Sequence, residues 1–183
     1  NQGKIFEVRH ILNDCNINLI SLLDFDNTPV IEETGTSFEE NAIIKAKIVY
    51  DYYKIPSIAD DSGIEIEQLG WKPGVYSARY AGVDADDEQN NKKLLSELNV
   101  FPEPHCARYK CSAVYYDGKN INAAFGEVKG IITKHPKGSN GFGYDPYFIP
   151  DDYHVTMAQL PSEVKNSISH RFKAFDSLKK FLK

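Results

Sequence analysis

Apolar residues recur along this chain at two periods, and the two periods mark different elements. At helical spacing, Ile5, Val8, Ile11 and Leu12 predict a first helix opened by Asn1-Gln2-Gly3-Lys4. Between Thr34 and Tyr53, Phe38, Ala42, Ala46, Val49 and Tyr53 form a second apolar stripe, and Ser37 with Glu40 reads as a capping box at its start. A third helix is expected over 84–98, capped near Asp84 or Asp86, apolar at Leu94, Leu95 and Leu98, and ended by Phe101-Pro102-Glu103-Pro104. The last begins around Pro161 to Lys165 and continues with Phe172, Phe175, Leu178 and Leu182 on one face. Strands are expected at Ile17 to Leu23 and at Ile55 to Ala59. Two more are expected at His105 to Tyr116 and Asn120 to Thr133, joined by an Asp117-Gly118 hairpin turn and bulged at Gly126 and Gly130. The first third alternates strand and helix, whereas the hairpin region looks antiparallel. The architecture inferred is α/β: a mixed, strongly twisted β-sheet with flanking helices, in two lobes separated by a substrate groove, forming one domain over residues 1–183.

Length and composition leave that picture standing and remove some functions. A chain of 183 residues, 42% hydrophobic and 26% charged, can bury one substantial core. A net charge of −5 gives no basic field for a nucleic-acid polymer or an anionic membrane, so an anionic substrate must be held locally. No apolar run reaches the roughly 18 residues of a membrane span. The three cysteines, Cys15, Cys106 and Cys111, have no metal-ligand spacing and suit a reducing, cytoplasmic setting. The chain opens at Asn1 directly into helix pattern, and a strand is expected to precede it.

Candidate chemistry concentrates in a few stretches. Asp60 and Asp61 are expected at the end of a strand, where α/β folds place ligands. Adjacent carboxylates repel unless a cation or proton neutralises one, and hard oxygen ligands favour magnesium. The plain alternative is an Asx-type turn made by Asp, Ser62 and Gly63. Glu40, in a first helical turn, either completes its cap or points at that metal; Lys45, one turn on, is a phosphate ligand or a solvated charge. Asn1 to Lys4 offers helix-start amides and a lysine to an anion, or is simply a cap. In Lys137 to Pro150, glycines around Phe142 let a backbone approach a ligand while the ring stacks on it, or they close a hairpin with Phe142 in the core. His170-Arg171 reads equally as a cap with a surface charge. Asp24-Phe25-Asp26-Asn27-Thr28, after an apolar run, resembles the opening motif of haloacid-dehalogenase-type phosphatases, with Asp24 as nucleophile; a polar loop explains it as well, and Pro29-Val30 does not suit that motif.

ENAIIKA, ADDSGIEIEQLGWKPGVYSARYAG, GSNGFGYDPYF and EVKNSISHR together resemble the Ham1-like inosine triphosphate pyrophosphatase family in order and spacing, over essentially the whole chain. Asn1-Gln2-Gly3-Lys4 looks like the remainder of that family's N-terminal substrate-binding turn. The resemblance implies magnesium-dependent hydrolysis of ITP, dITP and XTP to monophosphate and pyrophosphate, and a homodimer. It implies a metal cluster of Glu40, Asp60 and Asp61, with Asp61 as general base for water. It implies triphosphate contacts from Asn1, Gln2, Gly3, Lys4, Ser62 and Lys165, with Lys45 a further candidate. The purine would lie among Phe142, Gly143, Tyr144, Asp145, His170 and Arg171. Donors from His170 or Arg171 would accept a six-oxo purine and leave adenine's amine facing unpaired donors. Rival readings are the Asp24 phosphatase, a Maf-like nucleotide pyrophosphatase, against which the Ser169-His170-Arg171 segment argues, and a nucleotide-binding module without turnover.

Overall fold

The computed structural model describes residues 2–182. Five strands form one sheet in the order β2-β1-β3-β4-β5, where β1 is Ser57–Ile66, β2 Lys72–Pro73, β3 His105–Tyr116, β4 Ile121–Ile132 and β5 Phe148–Pro150. Every pairing among the described residues is antiparallel. The α/β class with flanking helices is therefore present, with an antiparallel sheet at its centre.

Side chains of β3 alternate between two covered faces. On one face α2 (Phe38–Tyr53) lays Ala42 and Ala46 against Val114. The other face carries two larger clusters. Ile11 of α1 (Gln2–Ile11) packs with Cys111, Ala113 and Ala124, and with Ala174, Phe175 and Leu178 of α5 (His170–Leu178). Leu94 and Leu98 of α3 (Asp87–Leu98) pack with Ile64, Ile66, Tyr109, Val128, Phe148 and Met157. Each such leucine or phenylalanine contributes roughly 1.5–3 kcal/mol by leaving water.

Local chemistry explains the helix limits. Ser37 caps α2 by accepting from the Glu40 N–H, and α2 ends at Lys54 in a left-handed conformation, φ 56°, before Pro56. Asp86 and Gln89 form a reciprocal capping box on α3. Ser169 separates α4 (Ser162–Ile168) from α5 and caps the latter by accepting from the Phe172 N–H.

Four expectations differ from the structure. Residues 17–23 form no strand among the described residues; Ile17 and Leu19 pack beside the α1–α5 cluster, and a 3-10 turn at Leu22–Asp24 follows. The Ser37–Glu40 box is half made, because the Glu40 carboxylate turns to the Thr36 N–H at 2.7 Å and its hydroxyl at 2.9 Å. The β3–β4 register runs from His105–Ile132 to Tyr116–Ile121 without a bulge. Gly126 is instead a contact point: a Cβ there would meet the His170 carbonyl oxygen at 2.0 Å. Finally, β1 does not stop at Ala59 but runs on through both aspartates to Ile66.

Candidate active site

Because β1 continues, Asp60 and Asp61 sit mid-strand, and successive strand residues face opposite sides of a sheet. Asp60 faces α1 and α5, and Asp61 faces α2. This one geometric fact organises the candidate residues into two groups.

On the α5 side, Arg171 is 2% exposed, and each of its three guanidinium nitrogens donates to a side chain. It donates to Glu7 at 2.5 Å, to Ser62 Oγ at 2.9 Å and to Asp60 Oδ2 at 3.3 Å. Lys4 approaches Asp60 at 3.6 Å. Burial disfavours the Asp60 carboxylate, but Lys4 and then Arg171 outweigh it and hold its pKa well below the ordinary value. Lys165 donates to Asp145 at 2.7 Å and pairs with Glu7 at 3.4 Å, so Glu7 bridges the two cations. For Asp145, burial wins over Lys165 and the carboxyl is pushed up. Its Oδ2 also accepts from the Phe142 N–H at 3.1 Å, which folds the glycine loop around it. Gly141 adopts φ +81° there, and a Cβ would meet Asp145 Oδ2 at 2.1 Å.

That loop is clamped from outside. Gly143 donates to Asp87 at 2.7 Å and accepts from Asn91 at 3.0 Å, while the Tyr144 hydroxyl donates to the Ser77 carbonyl at 2.7 Å. The Phe142 ring lies 5.1 Å from the Lys165 ammonium and 5.9 Å from the Arg171 guanidinium. His170 stacks on Tyr109, with ring centroids 4.7 Å apart and planes 8° from parallel. Burial first, then Arg171, keeps this imidazole neutral, and its Nδ1 is buried without a hydrogen-bond partner among the described residues.

On the α2 side, Asp61 accepts from Lys45 at 3.0 Å and from Asn41 Nδ2 at 3.1 Å. Lys45 also donates to Glu33 at 2.9 Å, and Arg79 reaches Glu33 at 3.3 Å. Burial raises the Asp61 pKa despite Lys45 and Asn41. Raising a carboxyl in this way favours its taking up a proton. Lys45 bridges Glu33 and Asp61 as a divalent cation would, by charge rather than by coordination.

The structure thus brings Lys4, Asp60, Ser62, Phe142, Asp145, Lys165, His170 and Arg171 into one neighbourhood, with Gly143 and Tyr144 in its loop. Asp61 and Lys45 form the second group. Glu40 lies beside Asn41 but its carboxylate is held by Thr36. No three His, Cys, Asp or Glu side chains converge as a cation cage among the described residues. Gln2 and Gly3 start α1, and Asn1 lies outside the described residues. Asp24 is committed elsewhere, accepting from the Ser21 N–H and from Arg9, each at 2.9 Å. A cleft of about 850 Å³ on the α2 face is lined by Ser37, Trp71, Tyr76 and Phe125, and by none of the expected substrate-binding residues.

Four partners were not legible as functional. Glu7 sits one turn after Lys4 and one turn before buried Ile11, so a carboxylate on the core-facing stripe of α1 is its only signal. Asn41 stands among Phe38, Ala42 and Lys45 on the buried side of α2. Glu33 and Tyr109 have no sequence signal beyond their type.

The family model described as the Ham1 family matches residues 1–181. The dITP/XTP pyrophosphatase of Geobacter sulfurreducens is 46% identical, covering 100% of this chain and 92% of that protein. That of Bacillus subtilis is 47% identical, covering 100% and 93%. Among solved structures, a HAM1 protein from Coxiella burnetii superposes with a TM-score of 0.91 at 38% identity, covering 100% of this chain and 94% of that one. The Staphylococcus aureus Ham1 protein gives 0.88 at 40% identity, with 100% and 94% coverage.

Proposed function

Because the chain belongs to the Ham1 family, we propose that it hydrolyses non-standard purine nucleoside triphosphates, dITP, ITP and XTP, to the monophosphate and pyrophosphate. The observation that carries this reading is full-length similarity to dITP/XTP pyrophosphatases, with the family motifs gathered around one strand. The substrate would lie in a groove between two lobes of a single domain.

In this reading Asp61 is the proton acceptor. It takes a proton from a water molecule as that water's oxygen bonds to the α-phosphorus. The bond from the α-phosphorus to the bridging oxygen breaks, and pyrophosphate leaves with the electron pair. Burial, which raises the Asp61 carboxyl, favours its taking up that proton. Phosphoryl transfer needs mainly alignment and charge neutralisation. Lys4, Lys165 and Ser62, with Lys45 and the helix-start residues Asn1, Gln2 and Gly3, would supply contacts to the triphosphate. Each lysine is now paired to a carboxylate that the substrate would displace or share.

Magnesium suits the donor set. It is held by one or two carboxylates and keeps several waters. Asp61 and Glu40 would hold it, Glu40 being freed from Thr36, and the ion would neutralise charge on the phosphates. Asp60, turned to the opposite face, would act mainly by fixing Arg171, which in turn donates to Ser62.

For the base, Phe142 offers a face to stack on, within a wall of Gly143, Tyr144 and Asp145. Every nitrogen of Arg171 already donates to a side chain, so the neutral His170 ring, its Nδ1 without a partner among the described residues, is the better reader of a six-oxo purine. We place the protein in the cytosol with the nucleotide pool, as a homodimer; sedimentation as a monomer at working concentration would remove the dimer.

The test is hydrolysis of ITP, dITP, XTP, ATP and GTP with magnesium, scoring pyrophosphate and phosphate separately. Pyrophosphate from the first three and little from ATP is expected. Phosphate release, or equal use of ATP, would overturn the assignment.

A further inference from the structure

Away from both candidate groups, a second cleft of about 320 Å³ lies between the last two turns of α3 and the start of β3. It is lined by Lys92, Ser96 and Asn99 of the helix region, by His105 and Lys134, and by Leu95 and Leu98 beneath. His105 is 1% exposed, and neither ring nitrogen has a hydrogen-bond partner among the described residues. An imidazole presents one donor and one acceptor when neutral and two donors when charged, so burying both nitrogens unpaired is costly.

The polar groups beside this ring share a sign. Lys92 and Lys134 bring ammonium groups, and Ser96 and Asn99 bring neutral side chains that can donate. The counter-charge at hand is Glu103, paired with Lys134 at 2.5 Å, on the 99–104 connection leading into β3. Both lysines are exposed, so they can move onto an anion without unpacking the core. The C-terminal end of α3 opposes an anion, which is why both lysines are needed.

We propose that this cleft is a binding site for a phosphate-class oxyanion, held by Lys92, Lys134 and His105, with the Glu103 carboxylate as its stand-in in the empty state. A singly protonated phosphate suits a neutral imidazole in either tautomer, because its P–OH can donate to an unprotonated ring nitrogen or its oxygen can accept from a ring N–H, one nitrogen being engaged at a time. This site is independent of the pyrophosphatase reading; it is built on the C-terminal turns of α3, whereas the Gly143 clamp uses Asp87 and Asn91 nearer the start of that helix.

The experiment uses the full chain, with imidazole nitrogens observed by NMR while inorganic phosphate, and separately pyrophosphate, is added. A saturable shift of the His105 nitrogens is expected. It should disappear in Lys92→Ala combined with Lys134→Ala, with ITP hydrolysis unchanged. Those substitutions are on exposed side chains, so the fold should hold, and an unchanged spectrum elsewhere checks it. A saturable response to pyrophosphate alone would keep the oxyanion site and assign it to the larger anion. No His105 shift with either anion, or a shift that survives the double substitution, overturns the proposal. Any response of His170 reports the candidate active site and is read separately.

Discussion

Asp60 and Asp61 are chain neighbours with opposite environments. Asp60 lies among Arg171, Lys4 and Ser62, and two cations hold it ionised. Asp61 lies against α2 with Lys45 and Asn41, and burial raises it. Nothing in the pair Asp-Asp distinguishes them; the alternation of a strand does. A carboxylate tied to a buried arginine is fixed and chemically quiet, whereas a raised carboxylate held by one lysine and one amide can exchange a proton. On the proposed function, the same residue type serves architecture on one face and chemistry on the other.

Substitution should separate them. Asp61→Asn is expected to reduce pyrophosphate release from ITP by about 10²–10⁴-fold, the usual worth of a general base, with the melting temperature little changed. Lys45 keeps Glu33, so no charge is stranded. Wild-type turnover in this variant would remove Asp61 from the mechanism. Asp60→Asn should do the reverse and act first on stability. Breaking a buried pair by removing one partner costs about 3–5 kcal/mol, because Arg171, 2% exposed, keeps its charge. Glu7 and Ser62 still accept from Arg171, so the lower end of that range is expected, read by urea unfolding. An unchanged unfolding midpoint would mean that Asp60 does not anchor the cluster.

The contrast also explains what the sequence could tell. Helices with both a stripe and a cap were legible: α3 begins after Asp86 and buries Leu94 and Leu98. The β3–β4 hairpin was legible from Asp117-Gly118 and its flanking alternation. Residues 17–23 misled because an apolar run carries no information about a ladder partner; here the run packs as a strap beside α1 and α5. Gly126 and Gly130 misled because a glycine in a strand signals either a bulge or a close approach, and only tertiary structure chooses. Both serve close approach, to the His170 carbonyl and to the Ile149 carbonyl. The candidate residues were legible as a set through their motifs. Their division between two faces was not, since it depends on β1 running through Asp60 and Asp61. Glu7 was hidden for a related reason: its partners Arg171 and Lys165 are over 150 positions away in the chain.

The finest test of the contrast is the pH dependence of stability. Asp60 has a folded-state pKa below its ordinary value of 3.8. It therefore contributes stability that is present above that value and is lost as pH falls toward the folded one. Asp61 has its pKa raised above 3.8, so its folded form binds a proton more readily than its unfolded form. Its burial penalty is present at neutral pH and is relieved as pH falls through the raised value. Stability measured by urea unfolding from about pH 6 to about pH 3 should therefore diverge for the two variants, these limits bracketing the ordinary carboxylate range. The gap between wild type and Asp60→Asn should narrow on acidification, because the wild-type protein loses what the variant already lacks. The wild-type protein should gain on Asp61→Asn over the same range, because only it sheds a penalty. Two difference curves of the same sign would show that the neighbours share one environment, and the division of β1 into a structural and a chemical face would fail.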